Sequence, residues 1–436
     1  MHGPVEFAFR VEWRPRAELA DIVPQWRELA GRALERNVFY EPAFALPAMA
    51  VFGTDIAACL VWSRAAPARL LGFFPGRVER RRYGVALPIF VGWTHPYAPL
   101  GSPLIDATAC DDVIAALLDH AGNDEHLPKL MVLPYLPVEG ALASAFDRAL
   151  ARRGASSTLF ARHARALLAP PRERVVNNGL DYLEKAIDGK KRKELRRQRK
   201  RLADAGLVTT PTADTAAEIA SALDDFFTLE ASGWKGRART AARLHPEIVT
   251  FMTTAVTALA AQGRAQVMRL CVDGHAIAAV VILRSGPTAW CWKIAYDESR
   301  ARFSPGVQVI LDATAMLLAD DGIRCVDSCA SPDHPMYLAR TARPRGPPHW
   351  SRAGSDFAIP GRMRSGNIAP RCHGCRESAT GLGGSDLIVS LPAPRRHDRR
   401  LDRRRIPPPA RRQAWTPFRA IAYPRSDRAT APLLAR

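Results

Sequence analysis

Glu230 stands just ahead of Gly233-Trp234-Lys235-Gly236, and Lys293 lies in an apolar run that ends at Tyr296-Asp297. A carboxylate closing an amphipathic helix beside such a turn sits where a cleft wall would be, and there it can accept a proton. Asp297, Asp327 and His334 are further candidates for the same task. Each has an ordinary alternative: a solvated helix end suits Glu230, and a turn suits Asp297. Lys235 and Lys293 are two of only eight lysines beside 54 arginines, which marks them out. An ammonium holds an anionic substrate or stabilises charge that develops during a reaction. Trp234 offers a face for a sugar or a nucleobase, although packing is the commoner task of tryptophan.

Other chemistries are poorly supported. Cys325-x3-Cys329 and Cys372-x2-Cys375 have thiolate spacings that zinc can use. The first pair falls in a strand pattern, where positions four apart share a face and fit a core, so no metal is expected. Cys372-His373-Gly374-Cys375 lacks the His directly after the second Cys that haem attachment requires. No Gly-x-Ser-x-Gly elbow or Ser-His-Asp order appears, which argues against a hydrolase.

The elements that must position these groups centre on residues 290–330. That stretch reads as a buried strand, a loop at Ser304-Pro305-Gly306, an amphipathic helix and a second buried strand. Val307, Ile310, Leu311, Thr314, Leu317 and Leu318 recur at helical steps. Ser304 suits the N-cap, Pro305 the first helical position, and Gly322 lies past the end. A helix start after a Gly-containing loop presents unpaired N–H groups and a positive dipole end to an anion. Simple helix capping is the plain alternative.

The surrounding chain alternates strands and helices. Residues 1–37 predict a strand and a helix over 16–36, with Pro24 as a break, and a second helix starts at Pro42. Three strand patterns follow, then the irregular loop 95–103. A helix over 110–121, a strand over 130–136, a helix over 140–153 and a strand over 157–168 complete the first unit. Pro170-Pro171 marks its boundary. Residues 189–206 then form a basic helix with Leu195 and Leu202 as its only large apolar residues. A strand, two helices, a hairpin turning at Asp273-Gly274 and the central stretch succeed it. The expected class is α/β (α+β), two tandem lobes of mixed sheet flanked by helices, over 1–171 and 172–336. The halves echo one another faintly.

Bulk composition narrows the setting. The net charge of +19 is concentrated in residues 337–436, which hold 21 Arg, no Lys and six acidic residues. Thirteen prolines accompany those arginines and the apolar periodicity fades, so 337–436 reads as a disordered basic tail. Its composition also fits GC-rich DNA translated in a slipped frame. The absence of a long apolar run predicts no membrane span, and the scattered cysteines fit a cytoplasmic protein.

The order strand, two helices, three strands, helix, strand resembles the GNAT acyltransferase superfamily. Leu229-Glu230-Ala231-Ser232-Gly233-Trp234-Lys235-Gly236, residues 293–307 and residues 326–336 resemble acetyltransferases associated with bacterial cellulose or exopolysaccharide biosynthesis. Those carry a BioF2-like domain and are related to Fem-type aminoacyltransferases, which pair two GNAT-like lobes. The resemblance covers roughly residues 38–336. It implies acetyl-CoA as co-substrate, direct attack by an amine or hydroxyl, and an acceptor from a polysaccharide or cell-envelope pathway. It places the cofactor loop on Arg302, Phe303, Ser304, Pro305, Gly306 and Val307, and family positions on Trp234, Lys235, Lys293, Tyr296 and Asp297. Backbone N–H groups near Ile294 and Ala295 are the expected oxyanion donors, with Asp327 and His334 near the acceptor. After Met336 the family's pattern is not continued. Two other readings remain: Fem-like transfer from aminoacyl-tRNA, and nonspecific nucleic-acid binding through residues 189–201 and the tail.

Overall fold

A computed structural model describes residues 9–82, 86–124, 127–168, 187–330 and 382–391. In the first lobe, alternating apolar residues build β1 (Phe9–Pro15), β2 (Ala57–Ser63), β3 (Leu70–Glu79), β4 (Ile89–Gly92) and the short β5 (Leu104–Ile105). β6 (Leu130–Pro137) and β7 (Ser156–Arg165) complete that stretch of chain. Helices α1 (Val23–Arg32) and α2 (Pro42–Phe52) lie between β1 and β2, while α3 (Cys110–Asn123) and α4 (Ala141–Arg153) flank β6. The helix expected over 16–36 is instead a 3-10 turn, Arg16–Ile22, followed by α1. Pro24 falls in the first turn of α1, where its missing N–H costs nothing, so it starts the helix rather than breaking it.

The second lobe opens with β8 (Leu167–Leu168) and α5 (Gly189–Ala203), the basic helix, whose Asp188 side chain accepts from the N–H groups of Lys190 and Lys191. Its buried residues are Leu195 and Leu202, so the rest of the helix is free to carry charge. β9 (Val208–Thr209) and β10 (Thr212–Ala213) lead to α6 (Ala216–Ser232), opened by a capping box between Thr215 and Glu218. The short α7 (Trp234–Arg237) and then α8 (Pro246–Ala260) precede the meander β11 (Ala265–Val272), β12 (His275–Ser285) and β13 (Thr288–Tyr296). Asp273 and Gly274 have φ of 50° and 80°, the paired positive values of the tight turn expected there. α9 (Pro305–Ala319), β14 (Cys325–Asp327) and β15 (Leu382–Ser390) follow.

The sheets run β1-β2-β3-β4-β6-β15-β7, with β5 on β3, and β10-β11-β12-β13-β14-β8, with β9 on β11. Each contains an antiparallel three-strand meander, then a helix and a strand parallel to the third strand. That shared order makes the two lobes tandem GNAT-like units. The sheets do not respect the boundaries read from sequence. The strand expected over 157–168 breaks at Ala166, and Leu167 and Leu168 pair with Asp327 and Val326 in the other sheet. β15 corrects the reading of 337–436 as wholly disordered: it lies between β6 and β7, antiparallel to both. Leu387, Val389 and Leu391 supply an apolar alternation that the prolines and arginines around them obscured. The remainder of 337–436, with Cys372 and Cys375, lies outside the described residues. Both lobes belong to one compact unit, Met1–Pro394, and no described helix is long and apolar enough to cross a membrane.

One apolar core is shared by the lobes. Phe44 of α2 is fully buried, with ring centroids of Phe39, Phe251 and Trp292 at 5.2, 5.3 and 5.2 Å. The buried Glu41 carboxylate adds a polar tie by accepting from Arg264 and Ser285 of the second lobe. α3 and α4 cover the outer face of the first sheet, and α5 and α9 the outer face of the second. Val389 is 1% exposed, so Val389→Asp would strand a carboxylate in the first core. The expected cost is on the order of 3 kcal/mol in urea unfolding. A change within about 0.5 kcal/mol, typical of surface sites, would show that β15 does not occupy this position.

Candidate functional site

β13 pairs with β12 from end to end but with β14 only through Thr288, Ala289 and Trp290. Between Cys291 and Lys293 the register slips, leaving Trp292 as an extra, bulged residue. Bulges re-aim side chains and end pairing, and both happen here. Beyond the bulge no described strand meets the outer edge of β13, and a cavity of about 330 Å3 opens along it. Glu230 from α6, Trp234 and Lys235 from α7, residues 291–296 of β13 and residues 328–330 after β14 form its walls.

Charge in the cavity is closely arranged. Glu230 is 8% exposed; its Oε1 accepts from Lys235 Nζ at 2.5 Å and its Oε2 from the Ala242 N–H at 2.8 Å. Lys293 Nζ stands 4.3 Å from the ring centre of Tyr97 and 5.8 Å from that of Trp292. Burial, and next the Lys235 ammonium, pull its pKa down to about 8, against weaker opposite effects of Cys329 and Glu230. Burial, with help from the Glu230 charge, pushes the Tyr97 phenol up to about 12. His95 is packed between Phe52 and Trp93, at 4.7 and 4.9 Å, and its Nε2 has no hydrogen-bond partner among the described residues. Burial and the Lys293 charge bring it down to about 3, so the ring is neutral.

Of the residues singled out from sequence, Glu230, Trp234, Lys235, Lys293, Ile294, Ala295 and Tyr296 all line this cavity. Asp297 does not; it caps the 3-10 turn Glu298–Phe303 by accepting from Ser299 N–H, the ordinary turn role weighed against it. Asp327 is 3% exposed, paired with Arg165 at 2.8 Å and accepting from Cys329 N–H, which makes it a support behind the cavity rather than a substrate contact. His334 lies outside the described residues. Arg302, Phe303, Ser304, Pro305, Gly306 and Val307 form the turn into α9. Phe303 belongs to the core there, under the Arg302 guanidinium at 4.7 Å. Ser304 occupies the N-cap position, but its φ and ψ of 50° turn its side chain away from capping. Gln308 N–H is the first to bond back, to Ser304 O, so the buried N–H groups of Gly306 and Val307 keep no acceptor among the described residues. That pair of donors at a helix start suits a phosphate.

Sequence reasoning missed Tyr97, whose ring the first lobe sets against Lys293, the nearby His95, and Cys291, Ser328 and Cys329 in the cavity wall. The one available signal was an aromatic pair inside a proline-rich loop.

Residues 189–334 match the family described as Acetyltransferase (GNAT) domain. That match spans about a third of the chain, the part that forms most of the second lobe. No curated protein matches the chain. Among solved structures, FemX is similar at 10% identity and TM-score 0.46, covering 70% of this chain and 86% of its own. The C-terminal domain of a putative lysylphosphatidylglycerol synthetase from Agrobacterium fabrum has 11% identity and TM-score 0.43, covering 71% of this chain and 78% of its own. A tandem GNAT protein of the clavulanic acid pathway has 14% identity and TM-score 0.34, covering 75% and 92%. Likenesses this distant assign no activity; the domain match and the cavity do more.

The depressed Lys293 has a stability consequence. Between about 8 and its ordinary 10.5 the unfolded chain binds the proton that the folded chain has lost, so stability rises with pH across that window. Below it, folding carries the full cost of a charged, buried amine. Lys293→Met should therefore unfold at a higher temperature than wild type at pH 7, by a margin that shrinks from pH 8 to 10. Thermal unfolding at a series of pH values checks this; a constant margin would contradict it.

Proposed function

We propose that the chain transfers an acetyl group from coenzyme A to an amine or hydroxyl by direct attack. The observation that carries this is the open outer edge of β13 beside Glu230 and the two lysines. The family resemblance favours an acceptor from a polysaccharide or cell-envelope pathway, made in the cytoplasm.

Coenzyme A would bring the thioester, and the chain's own groups suit it. Gly306 and Val307 offer their free N–H groups to the pyrophosphate, with Arg302 exposed nearby. Gly306 has no side chain to obstruct that approach. Adjacent amides of a strand point to opposite edges, so of Ile294 and Ala295 one N–H, not both, faces the open edge as an oxyanion donor. Glu230 is the proton acceptor. Lys235 and the Ala242 N–H fix its oxygens, and each oxygen retains a lone pair for the proton of the attacking group. As the new C–N or C–O bond forms and the C–S bond breaks, that proton passes to Glu230 and from there, through solvent, to the leaving thiolate, which restores the carboxylate. Trp234, 59% exposed, gives the acceptor a flat face at the rim.

Calorimetric titration with acetyl-CoA tests the reading. Wild type should bind, and Gly306→Trp should weaken binding at least tenfold, with circular dichroism checking that the variant remains folded. Glu230→Gln should keep the donor affinity and lose about 100-fold or more in kcat. Absence of acetyl-CoA binding by wild type would defeat the proposal.

A further inference from the structure

Resting on the acyl-transfer reading, we propose that the acceptor carries a carboxylate, which pairs with Lys293 beside the reacting amine or hydroxyl. Lys293 is the one cavity cation among the described residues with no anionic or hydrogen-bonding partner. Its close neighbours are the faces of Tyr97 and Trp292, which attract a cation more weakly than a carboxylate does in a desolvated site.

Every other charge around it is already matched. On α6, Glu230 is held by Lys235 of α7 and by the Ala242 N–H. On the turn after β13, Glu298 receives Arg237 at 2.6 Å and the Trp234 N–H at 2.7 Å. Behind β14, Asp327 is paired with Arg165. Burial holds the Cys291 and Cys329 thiols and the Tyr97 phenol protonated and the His95 ring neutral. Among the described residues Lys235 and Lys293 thus have only Glu230 to share, and one positive charge of the cavity has no counterion there. The donor does not supply it, since its phosphates belong at the start of α9 and its acetyl thioester is neutral. An acceptor of acidic-sugar or amino-acid size supplies it within about 330 Å3. An anion beside the buried amine would raise its pKa above the value of about 8 that it has alone.

The test is binding without any acyl donor, so its outcome is independent of whether acetyl-CoA binds. D-glucuronate against D-glucose, and glycine, L-alanine and L-serine against their primary amides, are titrated calorimetrically into the full chain at pH 7. At least one acid should bind at least tenfold tighter than its neutral partner. Lys293→Met should erase that preference and Lys293→Arg retain part of it. At pH 8.5 the heat of binding the preferred acid should vary with the buffer's ionisation enthalpy, because the anion draws a proton onto Lys293, and Lys293→Met should remove that variation. Equal binding within every pair, or a preference that survives in Lys293→Met, overturns the proposal. Failure of acetyl-CoA to bind in a separate titration would strike the acyl-transfer reading instead.

Discussion

The parting of β13 from β14 after Trp290 governs the rest of the molecule. Three residues of parallel pairing hold the second sheet together at that seam, and the bulge at Trp292 ends it. Had the pairing continued, the edge of β13 would be spent on a ladder, and no cavity would separate it from residues 328–330. The strand still keeps all of its bonds to β12, so the open edge is rigid on one side and free on the other. Such one-sided support holds backbone donors in place before a substrate arrives, which is what electrostatic preorganisation requires.

Much of this was legible from residue patterns. The helix at Pro305–Ala319, the turn at Asp273-Gly274 and the basic helix with Leu195 and Leu202 inward were set by local periodicity and turn chemistry. The gathering of Glu230, Lys235 and Lys293 in one cavity agrees with the positions that the family resemblance singled out. What escaped were facts of long-range pairing. Nothing local says that Leu167 and Leu168 leave one sheet for another, or that residues 382–390 return to the first lobe. Tyr97 is distant in sequence from Lys293, and a cation over its ring leaves no trace in the spacing of either. The cap formed by Asp297 and the ion pair of Asp327 were equally hidden, because a capping carboxylate, a salt-bridged one and a proton acceptor look alike in a sequence.

The lobes are interleaved as well as packed. β8 belongs to the second sheet although it directly continues β7 of the first, and β15 crosses back from beyond the second lobe. β6 and β7 are parallel to one another, and the gap between them is filled by a strand antiparallel to both. The first sheet is therefore completed by chain that is synthesised after the second lobe, and its hydrogen bonding stays unfinished until that lobe has been made.

Trp292 and Lys293 are consecutive, yet they answer to different parts of the molecule. The indole is driven into the shared core against Phe44 and donates Nε1–H to Tyr97 O at 2.8 Å. The lysine beside it borders the cavity. The bulge therefore works as a lever with one arm clamped in the first lobe. Where the first lobe holds the indole fixes, through one peptide bond, where the Lys293 side chain starts. The wall of the second lobe's cavity is in this sense positioned by the first lobe.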